Sequence, residues 1–309
     1  MESFCSVKLL FPSFSELRYN SYKKKQSMFK EKNVVIQLDT KTVYSFMDSL
    51  IPIKKYVQKA KDLGYSHLGM MDVDNLYGAY HFLEEAESAG LQPLLGLELS
   101  LIKAEQELHL RLLALDSQGY RNLMKVSTLK MMGQKNWEDF QHLFKGLAVI
   151  VPAFDGVADL DLGLDFYIGV FPATPQQEFG RPTLPLHTVR YFDTGDLETL
   201  QMLRAIRENA SLREIGSLPN HEFLLGPDAL AGAFKETFPE SLANLEKLVR
   251  HVHYDINREL KLPRFNRERS AVEELRERSE AGLKKRGLTG KLYQERLDQE
   301  LGVIHQMGF

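Results

Sequence analysis

Cysteine is nearly missing from this sequence of 309 residues, with Cys5 the only one. A lone thiol excludes an internal disulfide framework, a cysteine zinc site and a catalytic Cys–His pair within the fold, and it fits a reducing, cytoplasmic setting. Long apolar runs are missing too. No stretch approaches the roughly 18 residues that a membrane helix needs. The opening MESFCSVKLLFPSF has an apolar patch, but no basic leader precedes it, Pro12 interrupts it and no small-residue cleavage site follows, so it does not read as a signal peptide. Neither common glycine-rich phosphate loop occurs. An excess of positive charge is also absent. The net charge is -3, so nucleic acid would have to be met by a local patch.

What is present is ordinary for a soluble globular protein: 43% hydrophobic and 26% charged residues, enough to bury a sizeable core in one large domain or two smaller ones. Residues 1–33 differ from the rest. SYKKKQSMFKEKN is polar and basic without a period and reads as a flexible basic extension. The alternative is a nucleic-acid-binding arm carried by Lys23, Lys24 and Lys25.

From Val34 onward short strands alternate with helices. VVIQLD, HLGMMDV, LLGLELSL, HLRLLALD, GLAVIVPA, DFYIGVF and the stretch around PLHTVRYF read as strands. In IPIKKYVQKAKDLGY, Ile53, Tyr56, Val57, Ala60 and Leu63 make one helical face, Pro52 suits the first turn and Gly64 suits a C-cap. YGAYHFLEEAESAG, GYRNLMKVSTLKMM and DLETLQMLRAIREN read as further helices. The alternation predicts an α/β fold with parallel strands, closed into a barrel. After about Leu212 the pattern turns helical. It passes through LANLEKLVRHV and the junction LPRF into the charged helices SAVEELRERSEAGLKKRG and LYQERLDQELGVIHQMGF. The chain stops at Phe309 within an apolar run, which reads as a truncation.

Three stretches carry a resemblance. QLDTKTVYSFMDSL (37–50) resembles the HLHxHSxYSLLDG opening of a PHP domain (polymerase and histidinol phosphatase type). MMDVDNLYGAYHFLEEAESAGLQPLLGLE (70–98) and HLRLLALDSQGYRNLMKVS (109–127) resemble segments of the alpha subunits of bacterial DNA polymerase III, most of all the DnaE type of Gram-positive bacteria. ERLDQELGVIHQMGF is similar to the opening of the palm of those polymerases. The resemblance implies a distorted TIM-like barrel of seven β/α units, a PHP barrel over 34–262, and the start of the polymerase palm over 263–309. For the intact protein it implies DNA-directed DNA polymerase activity, with DNA, deoxynucleoside triphosphates, a sliding clamp, a clamp loader and a proofreading exonuclease as partners. The Mg2+ of that reaction would sit in the palm, outside this chain, so no polymerase catalytic residue is assigned here.

An active PHP barrel gathers His, Asp, Glu and Cys side chains around a metal cluster. In its His-x-His motif the two rings at i and i+2 of a strand face one cavity. Asp39 and Lys41 stand at those positions here, and a protonated lysine has no lone pair to offer a metal. By the same resemblance, Asp48, Glu98 and His109 are retained ligand positions, and Asp72 is kept beside a lost histidine. Val73, Ala153, Thr188 and Arg190 occupy positions where ligands were lost. If one metal binds, Asp48, Glu98 and His109 would hold it; otherwise no metal is expected in the barrel. The barrel is then a structural or docking module, the alternative being an active metal-dependent phosphoesterase or 3′–5′ exonuclease. Carboxylates left without metal must be paired or solvated, so Lys41 and Arg190 are expected beside Asp39, Asp72 or Glu98. Asp72 has a blander reading as a turn cap, His109 as a strand-start core histidine, and His251 and His253 as structural. Arg264, Arg267, Arg269, Arg276, Arg278, Lys284, Lys285 and Arg286 are interleaved with acids and read as a paired helix surface.

Overall fold

The computed structural model describes residues 34–256, 265–266 and 268–307. The extension over 1–33 with its lysines, the boundary at 262/263, Arg264, Arg267 and the final Gly308–Phe309 lie outside the described residues. Two compact units divide between Asp255 and Ile256.

The first unit is built on one seven-stranded sheet whose spatial order follows the sequence. The strands are β1 (Ile36–Gln37), β2 (His67–Val73), β3 (Gln92–Lys103), β4 (Gln106–Ala114), β5 (Leu147–Pro152), β6 (Tyr167–Val170) and β7 (Thr183–Pro185). Beyond β7 the chain returns to β1. Val189 N donates to Asp39 O and Lys41 N donates to Val189 O, both at 2.9 Å. These bonds join the two ends of the sheet and curl it into a distorted TIM-like barrel. β1 and β2 lie so close that a Cβ on Gly69 would fall 1.8 Å from the Leu38 carbonyl oxygen, which leaves glycine the only residue that fits.

The expectation of uniformly parallel strands fails at β4, which pairs antiparallel with both β3 and β5. The cause is the connection between β3 and β4. Ala104 and Glu105 form a two-residue turn with φ of 47° and 67°. So short a link makes a hairpin and cannot make the crossover that parallel neighbours require. Ala-Glu lacks the Asn-Gly type of turn signal, so the hairpin left no mark in the sequence.

Helices α1 (Ile53–Leu63) and α2 (Ala79–Ala89) follow β1 and β2. Ile53, Tyr56, Val57 and Ala60 of α1 are buried as their spacing predicts, while Leu63 at its last turn is exposed. Gly64 ends α1 in the left-handed region at φ 89°, its N–H donating to Ala60 O and Lys61 O. α3 (Ser117–Met131) and α4 (Trp137–Phe140) lie between β4 and β5. α5 (Leu197–Glu208), α6 (Leu212–Ile215), α7 (Pro227–Lys235) and α8 (Pro239–Val249) complete the unit. α8 ends before His251, and His253 forms an isolated bridge with Asp116 instead of continuing a helix. The second unit holds α9 (Ala271–Lys285) and α10 (Lys291–Gln306), with no buried residue in either.

Candidate functional site at the mouth of the barrel

β1, β2, β3, β5, β6 and β7 run in one sense and β4 alone runs against it, so the carboxyl ends of those six strands open on one mouth, the end of a barrel where sites are built. Asp39 and Lys41 stand just past β1, separated by one residue and therefore on one side of the extended backbone. Asp72 and Val73 end β2. Glu98 of β3 faces Arg111 of β4 in the ladder.

These residues form a closed ionic cluster. Lys41 Nζ lies 2.5 Å from Asp39 Oδ1 and 2.6 Å from Glu98 Oε2. Arg111 reaches the same pair, its Nε 3.3 Å from Asp39 Oδ2 and its Nη2 3.1 Å from Glu98 Oε2. Thr188 Oγ1 donates to Asp39 Oδ2 at 2.7 Å. Lys41 and Asp39 have no solvent-exposed surface. Burial alone would raise the Asp39 carboxyl, but Lys41 and Arg111 outweigh it and hold the group well below the usual carboxylate range. The same balance of burial against Lys41 and Arg111 leaves Glu98 lowered.

A second cluster surrounds Asp48. Arg190 pairs with one of its carboxylate oxygens, and Arg204 Nε and Arg207 Nη1 approach the other at 2.8 and 3.2 Å. Arg190 Nε also lies 3.2 Å from Glu222 Oε2. Burial works against the charge of Arg190, but Asp48 and Glu222 outweigh it and raise its pKa. Arg190 thus meets Asp48 and Glu222, where the sequence pointed to Asp39, Asp72 or Glu98.

Asp72 is held differently. It accepts from Thr42 N and Thr42 Oγ1, each at 2.6 Å, and from Ser45 Oγ at 2.7 Å. It therefore caps the turn after β1, while its burial raises its carboxyl against those bonds. Val73 adds its N–H to Ser45 Oγ at 3.2 Å. His109 is exposed, two ladder pairs beyond Arg111, with its Nδ1 2.8 Å from Ser100 Oγ. That is a rim position, not a core one. Among the described residues, no group of three or more His, Cys, Asp or Glu comes together as a metal site would need. Ala153 lines a cavity of about 750 Å³ at the mouth, with Phe154, Phe171, Thr188, His221 and Glu222 also on its wall.

Residues 37–174 match the PHP domain family. The DNA polymerase III subunit alpha of Streptococcus pyogenes serotype M1 is 46% identical over 275 residues, which cover 88% of this chain and 26% of that protein. This chain carries a PHP domain and is a relative of DNA polymerase III alpha subunits. A subunit alpha from Halalkalibacterium halodurans is 25% identical over 314 residues, 89% of this chain and 28% of its own. The chain therefore spans about a quarter of the length of the curated relatives it matches. Among solved structures, one described as a metal-dependent phosphoesterase from Bifidobacterium adolescentis aligns with 68% of this chain and 97% of its own, at 13% identity and a TM-score of 0.36. That likeness is too slight to bear on function. No helix among the described residues of this PHP-domain chain is long and apolar enough to cross a membrane.

Several residues of the PHP barrel's site escaped sequence reading. Arg111 lies two residues after His109, so strand periodicity puts both on one face, and that was the signal to follow. Arg204 and Arg207 share a face of α5 at i and i+3, but nothing in the sequence ties that face to Asp48. Glu222 lies in an irregular segment and gave no signal.

Proposed function

We propose that this chain is the amino-terminal part of a DNA polymerase III alpha subunit, a DNA-directed DNA polymerase, and that its PHP barrel is a structural and docking module without metal-dependent phosphoesterase or exonuclease activity. The whole protein would extend a primed DNA strand with deoxynucleoside triphosphates and Mg2+, and would work with a sliding clamp, a clamp loader and a proofreading exonuclease. The relatives' identity supports the polymerase assignment. The magnesium-binding carboxylates of that reaction are assigned to no residue of this chain.

The observation that carries the loss of barrel chemistry is the position of Lys41. Its ammonium lies 2.5 and 2.6 Å from Asp39 and Glu98, close to the distance of about 2.0–2.2 Å at which those oxygens would bind a metal. An ammonium and a divalent cation cannot share that point. Arg111 reaches the second oxygen of Asp39 and shares Glu98 Oε2 with Lys41, and three arginines claim Asp48. Asp39, Glu98 and Asp48 are thus already paired with the chain's own cations, while Asp72 is held by Thr42 and Ser45. The residues present do not fit a metal cluster, and no reaction step is derived through one.

Elemental analysis of the purified chain, together with a manganese-supplemented phosphoesterase assay on a phosphate ester and on a DNA 3′ end, tests the reading. It predicts substoichiometric zinc and manganese and no manganese-stimulated hydrolysis. Stoichiometric metal with stimulated hydrolysis overturns it. Separately, primer extension by the protein of the complete gene tests the polymerase assignment, and its absence would remove that assignment.

A further inference from the structure

At the barrel mouth, and at Arg269, Arg276 and Arg278 of the second unit, cations are matched by carboxylates. On the outer face of α3 they are not. The stretch 117–137, which runs from α3 to the start of α4, contains Arg121, Lys125, Lys130 and Lys135 and no Asp or Glu, in a chain whose net charge is -3. Lys130 is engaged, with Asp74 Oδ1 at 3.6 Å and Ser100 O at 2.9 Å. Arg121, Lys125 and Lys135 are exposed and form no ion pair among the described residues. Arg121 reaches only the neutral side chain of Gln118, at 3.1 Å.

The same face carries Met124, Met131 and Met132, all exposed. Positions 121, 124, 125, 128, 131 and 132 repeat at helical spacing, so cations and methionines share one stripe that faces solvent. At its end stands Tyr77 from the loop after β2. The Tyr77 hydroxyl donates to Met131 Sδ at 3.2 Å, its N–H donates to Asn75 Oδ1 at 3.1 Å, and the side chain as a whole is 68% exposed. An anchored aromatic residue with most of its surface free, held against Met131 at one end of a helix face that carries the unpaired Arg121 and Lys125, has the two parts of a single-strand binding surface. The cations meet phosphates through counterion release, and the ring stacks on a base whatever its sequence.

We propose that the outer face of α3, with Lys135 and Tyr77, binds single-stranded nucleic acid without sequence preference. The charge complementarity selects a polyanion, and the free tyrosine ring selects one that carries bases. The surface is separate from the ionic cluster inside the barrel and does not depend on whether that cluster binds metal.

The test is fluorescence anisotropy of the purified chain with labelled oligothymidylate, with polyglutamate as a polyanion without bases. Three phosphate contacts predict a salt slope of about -2, a loss of roughly tenfold or more between about 50 and 200 mM salt. Combined reversal of Arg121→Glu, Lys125→Glu and Lys135→Glu should weaken binding at least about tenfold. Tyr77→Ala should weaken it at least about fivefold, the lower end for one stacked base, and leave polyglutamate binding unchanged. All four positions are exposed, so the urea midpoint should not move and folding is controlled for. The proposal is overturned by no binding to oligothymidylate, by equal binding in the reversed chain, or by a Tyr77→Ala chain that binds like the parent. Polyglutamate binding as tight as oligothymidylate also overturns it, and would assign the face to an acidic protein partner.

Discussion

Lys41 and Arg276 each lie within ion-pairing distance of two carboxylates, yet Lys41 is wholly buried and the Arg276 side chain is 46% exposed. Arg276 bridges α9 to Asp298 of α10 at 2.7 Å and Glu280 at 3.7 Å. On the same surface Arg278 pairs with Glu274 and Arg269 with Glu277. These are the paired, solvated helix faces that the interleaved charges of the sequence describe, although Lys284, Lys285 and Arg286 form no ion pair among the described residues. Water stands ready to replace any one partner, so each pair contributes little. At Lys41 and Asp39 the side chains have no exposed surface for water to reach. There the loss of one charge leaves its partners buried and uncompensated. The comparison separates charge that merely decorates a surface from charge that a fold depends on.

Lys41→Met should give the largest effect. It leaves Asp39 and Glu98 facing each other with only Arg111 between them, and the cost should be roughly 3–5 kcal/mol, the usual range for breaking a buried pair. A urea melt that shows no loss would mean that the cluster hydrates freely and that the contrast with Arg276 is false.

Acid sharpens the comparison from another side. His67 is buried beside Ser66, and burial lowers its pKa to about 4. Its folded pKa lies below its unfolded value of 6.5, so the unfolded chain binds the extra proton first. Stability should fall as pH drops from 6.5 toward 4, by roughly 3 kcal/mol in all. Asp39 and Glu98 shift the same way for a carboxylate, with folded values below their unfolded ones. Their contribution is complete above about pH 5 and drains only at lower pH, as the folded carboxylates take up protons. His67→Asn should therefore flatten the upper part of the acid limb and leave the lower part. Urea midpoints across this range check both.

Asp48→Asn should cost less than Lys41→Met, roughly 2 kcal/mol. Arg204 and Arg207 keep some exposure, 18% and 34% of their side chains, and can turn to water when Asp48 goes. Arg276→Ala is the smallest. It should leave the urea midpoint unmoved, and a clear drop would show that the α9–α10 surface is not the solvated face described above.

Much of this was legible where the signal was local. HLGMMDV read as a strand is β2 to the residue, and the glycines at 64 and 90 end α1 and α2 in the left-handed region. The i, i+2 placement of Asp39 and Lys41 on one side of a strand also followed from local geometry. The rest depended on chain that returns from far away. Asp48 meets Arg190, Arg204 and Arg207 across more than a hundred residues of sequence, and no periodicity encodes that. The hairpin at Ala104–Glu105 was hidden because residues of ordinary turn preference adopt positive φ there.

The central claim is that the chain's own cations stand where metals would be bound, and ligand-linked unfolding tests it most directly. A metal that binds only the folded state stabilises it by about 2.7 kcal/mol at a hundred times its Kd. Thermal midpoints of the chain in EDTA, in manganese and in zinc should coincide. A midpoint that rises with manganese or zinc and falls again on chelation would contradict the account.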